Sequence, residues 1–278
     1  MKKYTIVSNY AKDPDLKLAY KLQKQMLRIE PKAEIGVYEM NNYSHADIEG
    51  SECIFVLGGD GTMLKVAKET SVNGIPLLGI NLGALGFLAE VEVGNIKNAF
   101  EALLKGQYHI EDRMMLSGEV IINGKMVQKA SALNDVVLSR RGDLQIIGYR
   151  VYVNGLYLND FYADGIILST PTGSTGYNMS AGGSIVEPKA KLMVLTPVCP
   201  HTLSNRSIML SASDKVEVEI LPPKGDKPVE VGVYFDGGNS RCLGVGDKVA
   251  ITKSHKVTKL VKLSDMSFLV TLHNKMNS

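Results

Sequence analysis

Over the first hundred residues, short runs of apolar and β-branched residues alternate with stretches whose apolar residues recur at helical spacing. The runs predict strands at 4–8, 34–38, 53–57 and 75–80, and helices are predicted at 62–68 and from a cap at Asn95 to Leu104. A further helix, opened by Asp13-Pro14, is predicted from the spacing of Leu16, Ala19, Leu22, Met26 and Ile29. Strands that alternate with helices are typical of an α/β domain with a largely parallel sheet.

From about Arg113 the hydrophobic pattern changes to a period of two. Asn123-Gly124 separates the runs 117–122 and 125–129, and Asn154-Gly155 separates 149–153 from 156–158. Asn-Gly suits the positive φ angles of a tight turn, so both sites predict β-hairpins. We therefore predict an α/β N-terminal domain plus a β-rich C-terminal domain.

The change of pattern predicts three segments. They are an α/β domain at 1–108, a β-rich domain at 109–263 and a C-terminal segment at 264–278. Ser264 opens this last segment, and Met266, Leu269, Val270 and Leu272 favour a final helix that packs back on the first domain.

Length and composition fit an ordinary globular protein. The 278 residues correspond to about two domains. With 31 Lys and Arg against 29 Asp and Glu, the net charge of +2 is too small for a protein that binds nucleic acid by neutralising many phosphates. No apolar run reaches the ~18 residues of a membrane-spanning helix. The 3 cysteines have no disulfide or zinc spacing, so we expect a reduced, cytoplasmic protein with no membrane partner.

The strongest local signal lies between a buried strand and a helix, where Gly58, Gly59, Asp60, Gly61 and Thr62 follow one another. Glycines permit close backbone approach, so successive N–H groups and the helix N-terminus can face a phosphate. A phosphate repels a carboxylate, which indicates that Asp60 bridges to a metal or takes a proton from an attacking hydroxyl. The alternative is a tight turn in which Asp60 is only an N-cap.

Familiar phosphate and metal motifs are absent from the sequence. It contains neither G-x-x-x-x-G-K-[ST] nor a G-x-G-x-x-G that opens a helix after the first strand. The 5 histidines are scattered without metal-ligand spacing. We expect no metal held by the protein alone, whereas Mg²⁺ carried by a nucleotide is compatible with the sequence.

A second dense polar region runs from 164 to 183, where hydroxyls and glycines follow a short strand at 166–168. Small polar residues are typical of a pocket wall, although a structural loop can have the same composition, and Tyr177 offers a stacking face for a base or a nicotinamide ring. Upstream, Asn134-Asp135 precedes a strand at 136–139. An amide beside a carboxylate can bind a base edge or ribose hydroxyls, although such a pair also occurs at an ordinary turn.

Together these residues resemble the NAD kinases, which phosphorylate the 2′-hydroxyl of the adenosine ribose of NAD to give NADP. The matching motifs, in the order that the family has them, are 58–62, 81–88, 113–116, Asn134-Asp135, 164–183, 196–201 and 235–237. The glycine motif alone is shared with lipid kinases, so the later motifs carry the assignment to NAD.

The resemblance implies an active site in a cleft between the two domains and a homo-oligomer, with a tetramer favoured over a dimer. NAD and ATP, or polyphosphate, are the implied substrates, and Mg²⁺ or another divalent metal accompanies the donor. Asp60 resembles the catalytic carboxylate, and Gly58, Gly59, Gly61 and Thr62 resemble the phosphate loop.

The residues implied to bind NAD fall into several groups. Gly61 and Phe87 lie beside the dinucleotide, and Asn134 and Asp135 contact it. Asp164 reaches the nicotinamide end, and His201 and Asp236 carry over as cleft residues of unassigned role. The adenine and ribose wall is formed by Thr172, Thr175, Gly176, Tyr177 and Ser180.

Three positions depart from the family pattern. Asp135 stands where Glu is common, Gly176 where Ala is usual and Ser184 where Pro is usual. These departures leave the preference between NAD and NADH open. Two alternatives remain at this point: a lipid or other small-molecule kinase, and a catalytically idle NAD-binding or regulatory protein.

Overall fold

The computed structural model describes residues 2–83, 86–142, 144–201, 206–223, 225, 228–263 and 268–277. Ala84 and Leu85 of the 81–88 motif, and Ser264 and Met266 of the predicted tail, lie outside the described residues. The strands are β1 (Lys3–Ser8), β2 (Glu34–Glu39), β3 (Cys53–Gly58), β4 (Leu77–Asn81), β5 (Val91–Glu92), β6 (His109–Ile122), β7 (Lys125–Ala132), β8 (Asp135–Arg140), β9 (Ile147–Val153), β10 (Leu156–Ala163), β11 (Gly165–Ser169), β12 (Leu192–Val198), β13 (Ile208–Ser211), β14 (Val216–Ile220), β15 (Val231–Phe235), β16 (Gly238–Leu243) and β17 (Lys248–Lys262). The α-helices are α1 (Lys17–Ile29), α2 (His45–Ile48), α3 (Asp60–Thr70), α4 (Ile96–Leu104), α5 (Tyr177–Ser180) and α6 (Phe268–Met276).

The chain divides into two compact units. The N-terminal unit comprises Met1–Arg113 and Lys256–Ser278, and the β-rich unit comprises Met114–His255. An α/β unit and a unit of antiparallel sheets confirm the predicted fold class. The division into 1–108, 109–263 and 264–278 stays a prediction.

The N-terminal unit is built on a parallel sheet in the order β2-β1-β3-β4. Its core includes an edge-to-face cluster in which the Tyr4 ring centroid lies 6.1 Å from Phe55 and 5.3 Å from Phe100. Helix α1 packs on this core because Ala19, Leu22 and Met26 recur on one buried face. This order places β2 and β3 on opposite sides of β1, so the chain reverses its winding direction between β1 and β3. In open α/β sheets, ligands bind at the carboxyl ends of strands at such a switch point.

Helix α1 begins at Lys17, after a 3-10 turn at Pro14–Leu16, so it starts later than the predicted opening at Asp13-Pro14. The Asp13 carboxylate is buried and accepts the N–H groups of Leu18 (2.8 Å) and Ala19 (3.1 Å), together with the Ser8 hydroxyl (2.8 Å). It thereby caps the free amides of the helix and ties the helix to the end of β1. The predicted cap at Asn95 is correct in position only, because α4 begins there without a side-chain cap hydrogen bond.

The β-rich unit contains an antiparallel sheet in the order β10-β9-β14-β17, the β6-β7 hairpin, and a second antiparallel sheet in the order β13-β12-β11-β8-β15-β16. Buried residues of both sheets and the hairpin form a single hydrophobic core. The two Asn-Gly hairpins are confirmed, with positive φ at Asn123 (50°), Gly124 (75°), Asn154 (52°) and Gly155 (80°). In the described part of the chain no helix is long and apolar enough to span a membrane.

Candidate functional site

The glycine motif lies at the carboxyl end of β3, beside the switch point. Gly59 is extended and α3 begins at Asp60. The N–H groups of Thr62 (2.9 Å) and Met63 (3.1 Å) both donate to the Gly59 carbonyl. The amides of Asp60 and Gly61 open the helix and so have no acceptor within it. They provide an N-terminal site of the kind that favours an anion.

Close packing, rather than an unusual backbone angle, explains the first glycine. None of Gly58, Gly59 and Gly61 has a positive φ. A Cβ on Gly58 would collide with the Thr62 side chain. The Thr62 hydroxyl also accepts a hydrogen bond from the Asn9 amide at 3.2 Å, which joins the loop after β1 to the glycine motif.

Asp60 is not an N-cap, because Gly59 holds that position and no side chain caps the helix there. Instead, the Asp60 carboxylate accepts the N–H of Phe87 at 2.9 Å and the N–H of Leu88 at 3.1 Å. A Cβ on Gly86 would collide with the same carboxylate, so that glycine is required for this approach. Each oxygen of a carboxylate has two acceptor sites, and one on each remains for a substrate hydroxyl or a cation.

Lys12 lies in the loop after β1 and places a positive charge beside the glycine motif, which sequence reasoning missed. Its Nζ lies 3.3 Å from the position that a Cβ on Gly59 would occupy and 3.8 Å from the equivalent position on Gly83. The loop is held by Asn9, whose carbonyl accepts the Lys12 N–H at 2.9 Å and whose side chain accepts the Ala11 N–H at 3.1 Å. A lysine that closely follows β1 is a detectable signal only once β1 is known to border the switch point.

Phe87 is half-buried and contacts α6. Its ring centroid lies 5.9 Å from that of Phe268, and the Lys275 ammonium lies 5.2 Å from the Phe87 ring centroid. The residue whose N–H binds Asp60 therefore packs its side chain against α6.

In the β-rich unit, the backbone of 133–135 is fixed from two sides. The Asp236 carboxylate accepts the N–H groups of Leu133 (2.7 Å), Asn134 (2.7 Å) and Asp135 (3.2 Å). Thr170 donates its hydroxyl to the Leu133 carbonyl (2.6 Å) and its N–H to the Asn134 carbonyl (2.8 Å). The segment is therefore more than an ordinary turn before a strand.

The side chain of Asn134 keeps an unused acceptor. Its Oδ1 is buried and has no hydrogen-bond partner among the described residues. Its Nδ2 lies 3.3 Å from the position that a Cβ on Gly176 would occupy, so the amide faces the segment that carries Tyr177. Buried acceptors without a partner are uncommon in proteins, and a ligand that donates a hydrogen bond here would satisfy this one.

Asp135 is 5% exposed. Burial, and then the negative charge of Asp236, raises the pKa of the Asp135 carboxyl to about 7. A carboxyl group with such a pKa exchanges its proton near neutrality, as groups at functional sites often do.

The polar segment after β11 forms a 3-10 turn at Thr172–Thr175 followed by α5. Part of its polar character is structural, since the buried Ser174 hydroxyl donates to the Pro171 carbonyl at 2.7 Å and the buried Asn178 amide donates to the Ser184 carbonyl at 3.0 Å. Thr172 is buried, whereas Ser180 is exposed and the Tyr177 side chain is 45% exposed. The segment is thus held by its buried hydrogen bonds and exposes the Tyr177 ring to solvent.

Asp164 and His201 lie beside neighbouring strands of the β-rich unit. The Asp164 carboxylate forms an ion pair with Arg140 at 3.0 Å, a partner that sequence reasoning missed. His201 is exposed, and its backbone N–H donates to the Tyr162 carbonyl at 2.8 Å. Burial is the largest cause of a raised pKa of the Tyr177 hydroxyl, followed by Cys199, Asp164 and Asp135.

The structure therefore forms two groups of predicted residues. In the N-terminal unit, Phe87 contacts the Asp60 carboxylate, and Gly58, Gly59, Gly61 and Thr62 form the loop and first turn that carry Asp60. In the β-rich unit, Asn134, Asp135 and Asp236 lie together, with Gly176 beside the Asn134 amide. No cluster of three or more His, Cys, Asp or Glu placed to hold a metal occurs among the residues described.

A GGDGT loop between a parallel strand and a helix, carried by a chain that also has a β-rich unit, is the arrangement of a class of small-molecule kinases. The chain belongs to the NAD kinase family. Residues 4–108 match the family's ATP-NAD kinase N-terminal domain, and residues 133–263 match its ATP-NAD kinase C-terminal domain. Membership of this family rules out the lipid-kinase alternative.

Curated relatives are similar over the full chain. An NAD kinase of Lachnoclostridium phytofermentans is 41% identical over 281 residues, which cover 99% of this chain and 99% of the relative. An NAD kinase of Agathobacter rectalis is 41% identical over 287 residues, which cover 100% of this chain and 99% of the relative.

Two solved structures share the fold. A yeast NADH kinase complexed with NADH superposes with a TM-score of 0.91 at 22% identity, over 100% of this chain and 88% of the other. An NAD kinase from Archaeoglobus fulgidus in complex with ATP gives a TM-score of 0.80 at 24% identity, over 99% of this chain and 98% of the other.

Proposed function

We propose that this chain transfers a phosphoryl group from ATP to the 2′-hydroxyl of the adenosine ribose of NAD, and that Asp60 is its catalytic carboxylate. The observation that carries the proposal is the Asp60 carboxylate, held by the Phe87 and Leu88 amides at the first turn of α3. A carboxylate fixed in this way can orient the attacking hydroxyl and accept its proton. Such positioning supplies much of the catalysis in phosphoryl transfer.

The donor phosphates bind at the glycine motif. The free amides of Asp60 and Gly61 and the Lys12 ammonium concentrate positive potential there, which stabilises a phosphate group. Mg²⁺ in nucleotide sites is held by one or two carboxylates plus the substrate phosphates, and Asp60 is a carboxylate that fits this role. When bound with the nucleotide, the metal would neutralise charge on the donor phosphates.

NAD binds to residues of the β-rich unit. The unpaired Asn134 acceptor and the Asp135 carboxyl suit ribose hydroxyls or the adenine amino group, and the exposed Tyr177 ring suits stacking. Phe87 of the N-terminal unit and several further residues of the β-rich unit belong to the same proposal: Asp164, Thr172, Thr175, Gly176, Ser180 and His201. Asp236 belongs to this site as well, where its carboxylate accepts the Asn134 N–H.

The decisive experiment incubates purified protein with NAD, ATP and Mg²⁺ and detects NADP with an NADP-specific dehydrogenase. Asp60→Asn is expected to lower turnover by about 10²–10⁴-fold, the usual contribution of a general base. Asp15→Asn is a matched control, because Asp15 is an exposed carboxylate of the same unit that pairs with Lys17. Wild-type turnover in Asp60→Asn would remove Asp60 from the role of base, and NAD binding without NADP would support the idle-binder alternative.

The finer features of the proposal are a cytoplasmic enzyme that forms a homo-oligomer, with a tetramer favoured over a dimer. The 3 cysteines, which form no disulfide among the described residues, support a reducing compartment. Sedimentation equilibrium separates monomer, dimer and tetramer, and a monomer at micromolar concentration would contradict the assembly. Assays with polyphosphate in place of ATP, and with NADH in place of NAD, determine the donor and acceptor preferences.

A further inference from the structure

Asp236 occupies a special position in the β-rich unit. It follows β15 at the hairpin turn to β16, and both Asp236 (φ 50°) and Gly237 (φ 72°) are left-handed. Its own N–H donates to the Asp135 carbonyl at 3.1 Å. Its carboxylate accepts the three consecutive amides of 133–135, all within 3.2 Å. Backbone donors to an ionised carboxylate form hydrogen bonds of the strong class.

Few hydrogen-bonding groups of this segment remain for anything else. The Leu133 and Asn134 carbonyls are bound by Thr170, and a Cβ on Gly173 would collide with the Asn134 carbonyl, so the 170–173 turn packs directly on it. Within this segment, the Asn134 side-chain oxygen is buried and has no hydrogen-bond partner among the residues described. The packing on both faces of the segment therefore decides where this amide lies.

We propose that Asp236 is a positioning residue for NAD: it does not bind the dinucleotide but holds Asn134 and Asp135 in the orientation that does. This inference rests on the proposed function and assigns a role to a residue that otherwise reads as a substrate contact. A carboxylate that already accepts three backbone amides has most of its acceptor capacity occupied. Its loss would release the segment and so weaken NAD binding without touching the donor site.

The negative charge of Asp236 also affects the pKa of Asp135, which can be measured. Burial is the larger cause of the raised pKa of Asp135, and the negative charge of Asp236 is the second. Tyr177 is a further titratable group that interacts with Asp135. Removing the charge of Asp236 should therefore move the pKa of Asp135 below its value of about 7.

The experiment measures NAD and ATP dissociation constants by calorimetry for wild type, Asp236→Asn, Asp236→Glu and Asp247→Asn. Asp247→Asn is the matched control, because the Asp247 carboxylate also accepts two backbone amides at a turn of the β-rich unit, from Asn123 (3.0 Å) and Gly244 (2.8 Å). The Asp135 carboxyl is titrated by ¹³C NMR in the same proteins.

Asp236→Asn is expected to raise the dissociation constant for NAD about ten- to a hundredfold, because it removes hydrogen bonds to a charged acceptor, and to leave that for ATP unchanged. The pKa of Asp135 should fall in Asp236→Asn and should remain at about 7 in Asp247→Asn. If Asp236→Asn does not fold, Asp236→Glu, which keeps the charge, should weaken NAD binding less than tenfold and leave the Asp135 pKa raised.

Equal NAD affinity in Asp236→Asn and Asp247→Asn would overturn the inference, as would a loss of ATP affinity equal to the loss of NAD affinity. Wild type that binds NAD but forms no NADP contradicts the proposed function and leaves the calorimetric comparison intact. Wild type that does not bind NAD overturns both.

Discussion

Single residues determine which charges this protein can carry near neutral pH. Asp135 is the clearest case. Its carboxyl is buried and has a pKa of about 7, far above the pKa of an aspartate in an unfolded chain. A raised folded-state pKa means that the native state binds the proton more tightly than the unfolded state. The contribution to stability is then complete below about pH 4 and is lost as the pH rises through about 7.

Asp135→Asn should remove this dependence. Between pH 4 and pH 8, we expect wild type to lose stability relative to Asp135→Asn by an amount of the order of 4 kcal/mol, because only wild type must ionise a buried carboxyl. Urea unfolding at several pH values measures the difference. Parallel curves for the two proteins would show that Asp135 titrates normally in the folded chain.

Lys12 supplies a second prediction at this scale, because its ammonium lies beside Gly59. Lys12→Ala should raise the KM for ATP about three- to tenfold and make it less sensitive to salt, while the KM for NAD stays unchanged. Lys17→Ala is the control, because Lys17 is an exposed lysine of the same unit that pairs with Asp15 at 3.1 Å. Equal effects in both variants would mean that general surface charge, rather than the position of Lys12, attracts the donor.

At the scale of elements, the loop between β4 and β5 determines where the catalytic carboxylate lies. Its backbone donates both hydrogen bonds to Asp60, and Gly86 leaves room for this contact. The loop is thus part of the active site through its main chain, a role that its side chains do not reveal.

Gly86→Ala tests this role directly. The new Cβ would meet the Asp60 carboxylate and displace it, so kcat should fall at least about tenfold with little change in the KM for NAD. Gly94→Ala, where a Cβ meets nothing within 4 Å, should leave kcat unchanged. An unchanged kcat in both variants would indicate that the exact placement of Asp60 is unimportant for turnover.

The same scale shows what sequence patterns could and could not predict. Alternating and helical patterns correctly predicted β1 to β4, α1, α4 and both Asn-Gly hairpins, since local residues dictate these elements. Strand β12 was not predicted; it contains Thr196 and Pro197, and proline argues against a central strand. Part of the polar loop after β11 proved to be a 3-10 turn and the short helix α5.

Site residues were likewise predictable where they are adjacent in sequence and not where they depend on distant contacts. The glycine motif was visible because its members are adjacent in sequence, whereas Asp236 binds amides about a hundred residues away. No local pattern encodes a contact of that range. The hydrogen bonds that hold the Asp60 carboxylate were missed for the same reason, because the donors Phe87 and Leu88 lie 27 and 28 residues downstream.

For the whole molecule, the N-terminal unit is discontinuous in sequence. Leu260 pairs in parallel with Leu77 of β4, and Val261 joins the core that contains Tyr4. The Glu90 carboxylate, largely buried, accepts the Lys262 ammonium at 2.6 Å and the Leu263 N–H at 3.0 Å. The last strand thus contributes apolar, ionic and backbone contacts to a unit that the first strand begins.

A fragment of residues 1–113 should therefore not fold stably on its own. It would expose the edge of β4 and leave the Glu90 carboxylate without its partners, and both are costly. Circular dichroism with urea unfolding should show no cooperative transition. Adding a peptide of residues 256–278 should restore one, and a cooperative transition in the fragment alone would refute the dependence.

This arrangement has a consequence for synthesis on the ribosome. Domains usually fold as units in the order in which they are made, the N-terminal one first. Here the Asp60 carboxylate and the glycine loop leave the ribosome before the β-rich unit, but the unit that holds them acquires β17 only after the β-rich unit has been made. A nascent chain therefore carries every residue of the phosphate loop long before it possesses the complete unit, so catalytic competence should appear only after β17 has been synthesised.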